Sequence, residues 1–280
     1  MPADVTPDPA DSNAAPAHPA YGVLRPITPF ASVLLCNNPG VMALDGTNTY
    51  VLRAPGSPEC VIVDPGPPKA KGHVALIAEQ PGIVLTLITH RHIDHTGAIK
   101  ALHKRTGAPT RARLAKYCRD GLPLADREVI EAAGLRITVL YTPGHSGDSV
   151  SFLVEWNEQR AMLTGDTILG RGTTVIDPTD GTLRDYLNSL NRLIVEGSGA
   201  VLLPGHGPDH PDLEPVARAY KAHREQRIDQ IAAVLDELGI SANKAKPMKV
   251  VRTVYRDVDK KLWPAARMSV KAQLEYLRAR

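Results

Sequence analysis

Cysteine is scarce: Cys36, Cys60 and Cys118 are the only three in 280 residues. The number is odd and no C-x-x-C pair occurs, which argues against a disulfide framework and fits a reducing, cytoplasmic setting. Aromatics are sparse too, with two Trp and two Phe, so a core must be mostly aliphatic. No apolar run is long enough to cross a membrane. Residues 1–20 lack the basic start and apolar run of a signal peptide, and their Pro, Ala and Asp content predicts a disordered tail. Neither sign of charge dominates; a net +3 says little about partners. An apolar content of 43% does allow a sizeable core, and the length suits one large α/β domain with an appendage, or two domains.

What the chain does have is a concentration of histidine. Thr89-His90-Arg91-His92-Ile93-Asp94-His95-Thr96-Gly97 packs three histidines and a carboxylate into six positions. The run Ile83–Ile88 before it is apolar and β-branched, the pattern of a buried strand. The stretch Thr96–His103 after it reads as a helix, with Ile99 and Leu102 apolar. The cluster therefore falls on a strand-to-helix loop at a carboxyl strand end, where open α/β sheets place their chemistry. A solvated loop would suit one lone histidine. Four potential ligands in six residues suit an ion of the Zn²⁺ kind. Without Cys, the set favours a catalytic site with open positions over a closed structural zinc.

The same arrangement recurs along the chain. Strands are expected at Ala31–Cys36, Thr49–Leu52, Cys60–Val63, Leu135–Tyr141, Val150–Val154, Ala161–Leu163 and Ala200–Leu203, and a helix at Lys69–Glu79. Residues 110–134 follow no clear pattern. Several strands deliver one metal-competent side chain just past their end, beside glycine: His145 in Thr142-Pro143-Gly144-His145, Asp166 in Thr164-Gly165-Asp166, and His206 in Pro204-Gly205-His206-Gly207. Each alone is weak; their recurrence at strand ends is the specific signal. Asp64, ending the Cys60–Val63 strand, is either a partner of a metal ligand or a turn former. His210 stands close enough to His206 to line the same site.

These residues resemble the metallo-β-lactamase superfamily. His90 to His95 matches its H-x-H-x-D-H signature, and His145, Asp166, His206 and Asp64 match its later positions in order, over roughly residues 21–215. The resemblance implies an α/β fold of four layers, an αββα sandwich, with a dinuclear site at one sheet edge. It implies one metal on His90, His92 and His145, a second on Asp94, His95 and His206, and Asp166 between them. Two Zn²⁺ ions are expected, with iron or manganese as alternatives. A metal-bridging hydroxide would attack, positioned by the catalytic carboxylates Asp94 and Asp166. Thr164-Gly165-Asp166 follows the hydrolase and nuclease branches rather than β-lactamases with a Cys ligand, so at most weak β-lactamase activity is expected.

Leu44–Tyr50, Gly170–Val175 and Asp185–Leu190 further resemble the group typified by beta-lactamase-like protein 2, whose members carry a C-terminal winged-helix-like domain and include endoribonucleases on single-stranded RNA. The implied layout is a tail at 1–20, the sandwich at 21–215 and a small helical winged-helix-like domain at 216–280. Helices are expected at His223–Leu238, Lys246–Tyr255 and Pro264–Arg280. Residues 221–280 hold 14 Lys and Arg against 7 Asp and Glu, a net of +7, which leaves −4 for the rest. A basic appendage suits an anionic partner such as single-stranded RNA, or is a solvated domain that frames the cleft. Substrate contacts are expected from Asn48, Thr173, Tyr186 and Asn188, although taken singly Tyr186 and Asn188 fit helix packing and an exposed polar position better. The leading expectation is a dinuclear endoribonuclease. The alternative is a small-molecule thioester, ester or lactone hydrolase like glyoxalase II. A nucleic-acid-binding module with a relict site and a redox iron enzyme fit less well.

Overall fold

Apolar residues at every second position, set off by turns, build two sheets with two-sided strands. The computed structural model describes residues 18–176, 180–256 and 259–279. The first sheet runs in chain order: β1 (Leu24–Thr28), β2 (Ala31–Leu35), β3 (Asn48–Leu52), β4 (Cys60–Val63), β5 (Ile83–Leu87) and β6 (Thr110–Arg111). β1 to β4 pair antiparallel, and β4, β5 and β6 pair parallel. A parallel pair needs a crossover, which α1 (Lys71–Ala78) supplies between β4 and β5. The second sheet holds β7 (Val129–Ala132), β8 (Leu135–Tyr141), β9 (Val150–Trp156), β10 (Gln159–Gly165) and β11 (Val201–Pro204), in the order β11-β10-β9-β8-β7.

Alternation sorts each strand between two cores. Val61 and Val63 of β4 face the other sheet, as do Ile137 and Val139 of β8, Phe152 of β9 and Leu163 of β10. Cys60 and Ile62 face outward, where Val74 and Ile77 of α1 and Leu102 of α3 (Ile99–Thr106) cover them. On the far side Met162 and Leu153 meet Tyr186, Leu190 and Leu193 of α4 (Leu183–Glu196), and Leu213, Ala217 and Tyr220 of α5 (Leu213–Glu237). The result is the expected helix–sheet–sheet–helix order. The polypeptide between β5 and α3 forms one more short turn of helix, α2 (Ile93–Thr96).

The C-terminal region has its own core. Ile231 and Leu235 of α5, Val250 and Val251 of α6 (Pro247–Val254), and Val270 and Leu274 of α7 (Trp263–Arg278) pack together. α5 begins ten residues before the expected His223. Asp212 caps it by accepting from the Glu214 N–H, and Pro215 falls in the first turn, where a missing N–H costs nothing. The expected boundary at 215/216 thus lies inside a continuous helix: its first half packs on the sandwich and its second half belongs to the appended core. Among the described residues no strand follows β11, and no helix is long and apolar enough to cross a membrane. The expected tail lies outside the described residues up to position 17; His18 pairs with Asp45 at 2.9 Å. The unpatterned stretch 110–134 carries β6 and β7, edge strands too short or too exposed to announce themselves.

Candidate metal centre

Four strand ends of the two sheets meet at one edge. β5 delivers His90 and His92, α2 carries Asp94 and His95, and β8, β10 and β11 are followed by His145, Asp166 and His206. Arg91 turns away between its two histidines to Asp180 at 2.9 Å. The seven side chains form two groups, each with donor atoms within 4.8 Å of one another: His90, His92, His145 and Asp166, and Asp94, His95 and His206. Asp166 joins the groups. Its carboxylate lies 3.9 Å from His90 Nε2 and 3.7 Å from His145 Nε2, and 3.4 Å from both His95 Nε2 and His206 Nε2. Asp94 lies 3.2 Å from His206 Nε2 and 3.6 Å from His95 Nε2.

The opposite ring nitrogens are anchored, which sets the tautomers. His95 Nδ1 donates to Asp64 at 2.8 Å, His206 Nδ1 to the Gly46 carbonyl at 2.9 Å, and His145 Nδ1 to the Val175 carbonyl at 2.6 Å. Thr89 Oγ1 spends its proton on Asp64, at 2.6 Å, so it accepts from His90 Nδ1 at 3.0 Å. Once neutral, each of these four rings therefore has the lone pair of its Nε2 facing inward. His92 instead presents Nδ1, 3.0 Å from both His90 Nε2 and His145 Nε2.

This donor set fits bound cations. Three ring nitrogens converge on one point, and unprotonated nitrogens that close repel one another unless a positive ion lies between them. Asp166 Oδ1 is buried and makes no hydrogen bond among the described residues, which is costly for a lone carboxylate oxygen. The backbone comes close to the centre at Gly205, where only the missing side chain leaves room: a Cβ there would stand 2.5 Å from Asp166 Oδ1 and 3.0 Å from the His95 ring.

The charges divide between the groups. Burial, with His95 nearby, holds His90 well below the ordinary imidazole value, and burial likewise depresses His145; both are neutral and ready to ligate. Burial opposes the proton on His95 and His206, but the carboxylates around them outweigh it. Asp64, Asp166 and Asp94 raise His95 well above its usual value, and Asp166 and Asp94 bring His206 up to about 9. Burial would raise the two acids, yet His95 and His206 pull Asp94 down to about 2 and hold Asp166 far below the carboxylate range.

The expected substrate contacts separate. Thr173 is exposed and lines a 120 Å³ hollow with His145 and Asp166. Asn48 does not reach it: it is 2% exposed, and its amide donates to the Pro204 and Gly207 carbonyls, fastening the His206 loop. Tyr186 is fully buried under the Gly144 turn and donates to the Thr167 carbonyl at 2.7 Å. Asn188 is exposed on α4, in a separate surface hollow that includes none of the seven side chains. Both α4 positions fit the alternatives weighed for them, helix packing and an exposed polar position. His210 Nε2 donates to the Gly170 carbonyl at 2.6 Å, so its proton is engaged in holding the loop. Asp64 is a partner of a candidate ligand, and no mere turn former. Sequence reasoning missed Val41, Met42 and Arg224, which wall the approach to the site; nothing in their spacing marks them.

Residues 42–206 match the model of the metallo-beta-lactamase superfamily, and residues 247–280 match the beta-lactamase associated winged helix domain. The chain belongs to the metallo-beta-lactamase superfamily and is a metal-dependent hydrolase of that class. Among its relatives is a beta-lactamase-like protein 2 homolog of Drosophila melanogaster, 32% identical over 266 residues, covering 88% of this chain and 86% of the relative. Another is an atrochrysone carboxyl ACP thioesterase of Aspergillus fumigatus, 31% identical over 236 residues, covering 82% and 71%. The fold is shared with a beta-lactamase domain protein from Burkholderia ambifaria (TM-score 0.76, 19% identity, 94% and 91% covered). A metallo-beta-lactamase family protein from Thermus thermophilus is also alike (TM-score 0.70, 23% identity, 90% and 94% covered).

Proposed function

We propose that this chain hydrolyses a thioester, or a related activated acyl bond, of a small amphipathic substrate, using two divalent cations, preferentially zinc. The observation that carries the reading is the setting of the seven donors. Two of them, His145 and Asp166, line a hollow whose walls, the Val41–Leu44 loop and residues 172–175, continue into a cavity of about 520 Å³ bordered by the C-terminal helices. A cavity of that size suits a small molecule. The relatives named as thioesterases point the same way.

In this reading His90, His92, His145 and Asp166 would hold one ion and Asp94, His95 and His206 the other. Paired ions of this kind bring a water's pKa to near ~7 and polarise a carbonyl oxygen. Asp94 and Asp166 would position the nucleophilic water, and Asp64, Thr89, Gly46 and Val175 keep the imidazoles facing inward. Thr173 borders the acyl group. A thiolate is a good leaving group and needs no strong acid, which suits a site where the His210 proton is engaged elsewhere.

Single-stranded RNA is the second reading, favoured by the +7 balance of residues 221–280. The test is thiol release from a series of acyl thioesters by the zinc-loaded protein, beside cleavage of an end-labelled single-stranded RNA. Thiol release without RNA cleavage supports the first reading; RNA cleavage alone replaces it with the second.

A further inference from the structure

The 520 Å³ cavity has an uneven charge. Its C-terminal wall carries His223, Arg224, Arg227, Tyr255, Ser269 and Gln273, and among the described residues no acidic side chain lines it. Arg224 is only 3% exposed and has no carboxylate within ion-pair distance among the described residues. One guanidinium nitrogen donates to the Thr174 carbonyl, the cation stands 5.2 Å from the centre of the Tyr186 ring, and Nε has no partner. Arg227 is half-buried beside it. It reaches Gln230 at 2.8 Å, a neutral partner, and stacks over Tyr255 at 5.2 Å. His223 Nδ1 and Gln273 Oε1 are likewise buried without hydrogen bonds. Orphaned polar atoms are uncommon in native proteins, and three fall in one cavity wall, of which Arg224 Nε is a donor with no acceptor and Gln273 Oε1 an acceptor with no donor. A buried cation without a counter-charge is costly unless something supplies one.

The opposite wall is mostly apolar, with Val41, Met42, Leu44 and Val175 beside Thr173 and Thr174. Val41 is 80% and Met42 57% exposed, on a loop shared with the hollow at His145 and Asp166. A bound molecule would thus meet the candidate metal centre, then apolar side chains, then two arginines. Uncharged substrates would leave the arginines unbalanced and gain nothing from them.

We propose that this cavity binds an oxyanion, a carboxylate or a phosphate, at the end of the substrate remote from the bond that is cut, with Arg224 and Arg227 as its cationic contacts. The proposal rests on the acyl-hydrolase reading for its placement, but the subsite stands on its own residues. Arg224 also steadies the segment that anchors His145, through Thr174, so it is both a contact and a positioning residue. Arg227 has no such second task and is the cleaner probe.

The experiment titrates non-hydrolysable thioether probes into the full-length, zinc-loaded protein by calorimetry. The probes share one acyl chain and end in a carboxylate, a phosphate monoester or a neutral carboxamide. Wild-type protein is expected to bind one or both charged probes about tenfold or more tighter than the carboxamide, a preference that shrinks with added salt. The arm with the larger preference identifies carboxylate or phosphate. Arg227→Gln is expected to bring the charged-to-neutral ratio close to one, and Arg224→Lys to reduce it while the fold, followed by circular dichroism, is kept. Equal affinity for charged and neutral probes, no binding of any probe, or an unchanged ratio in folded Arg227→Gln would overturn the proposal. Matched thioesters separate it from the reaction. A charge preference without cleavage sinks the reaction and leaves the subsite, and cleavage without a preference does the reverse.

Discussion

The carboxylate of Asp64 accepts from His95 Nδ1 at 2.8 Å across 31 positions of sequence. The same group takes the Thr89 N–H at 2.9 Å and the Thr89 hydroxyl at 2.6 Å, so one side chain at the end of β4 orients both His95 and, through Thr89, His90. Asp64 adopts a left-handed φ of +54° to do so, a conformation Asp tolerates better than most residues. Asp64→Ala is expected to weaken metal binding by about 10- to 100-fold, the usual effect of removing such a partner. Chelator competition measures this; wild-type affinity in the variant would show that the rings hold their orientation unaided.

The raised values of His95 and His206 predict proton release on metal uptake. The surrounding carboxylates favour the protonated form of both rings in the metal-free protein, and both must be neutral to ligate. Metal affinity should therefore rise with pH across the neutral range. Calorimetry in buffers of different ionisation enthalpy should detect the released protons. The metal-free fold should respond in the opposite sense. For His206 the folded value of about 9 exceeds the ordinary 6.5, so its stabilising effect is complete below 6.5 and lost as pH rises through 9. Melting of the metal-free protein at pH 6 and pH 9.5 checks this part.

Gly205, just past the end of β11, brings the backbone close to the centre. A methyl group there would sit 2.5 Å from Asp166 Oδ1, so Gly205→Ala must displace the Asp166 carboxylate or the loop, at a stability cost of about 1–3 kcal/mol. Metal content by elemental analysis should fall well below that of the wild type while the secondary structure is kept. Full metal content would mean that the loop yields instead.

Tyr186 tests the difference between a packing and a binding role. Its hydroxyl donates to the buried Thr167 carbonyl, one residue beyond Asp166. Tyr186→Phe should lower stability by about 0.5–1.5 kcal/mol, read from urea denaturation, and leave KM for the hydrolysed substrate unchanged. A raised KM without lost stability would return Tyr186 to the substrate.

The cluster was legible in the sequence because its donors sit in local patterns: three histidines and an acid packed just past one apolar run, and elsewhere an apolar run, then a glycine, then a donor. Asp166 and His206 announce themselves this way, and the alternation in β8 fixes the face on which Ile137 and Val139 pack. The cleft was not legible. Asn48 and Tyr186 occupy motif-like stretches, yet their polar atoms serve the backbone of Pro204 and Thr167, partners more than a hundred positions away or hidden by the fold. Arg224 looks like any basic residue on an amphipathic helix. Its burial depends on α5 continuing past the sandwich to meet α7, and no local pattern records that.

The most direct test of the account is thiol release from an acyl thioester series by zinc-loaded wild-type protein and by Asp166→Ala, purified identically and analysed for metal. The account predicts turnover by the wild type that falls by about a hundredfold or more in the variant, together with loss of bound metal. Equal turnover by both proteins, or none by a wild type with both ions bound, would contradict it.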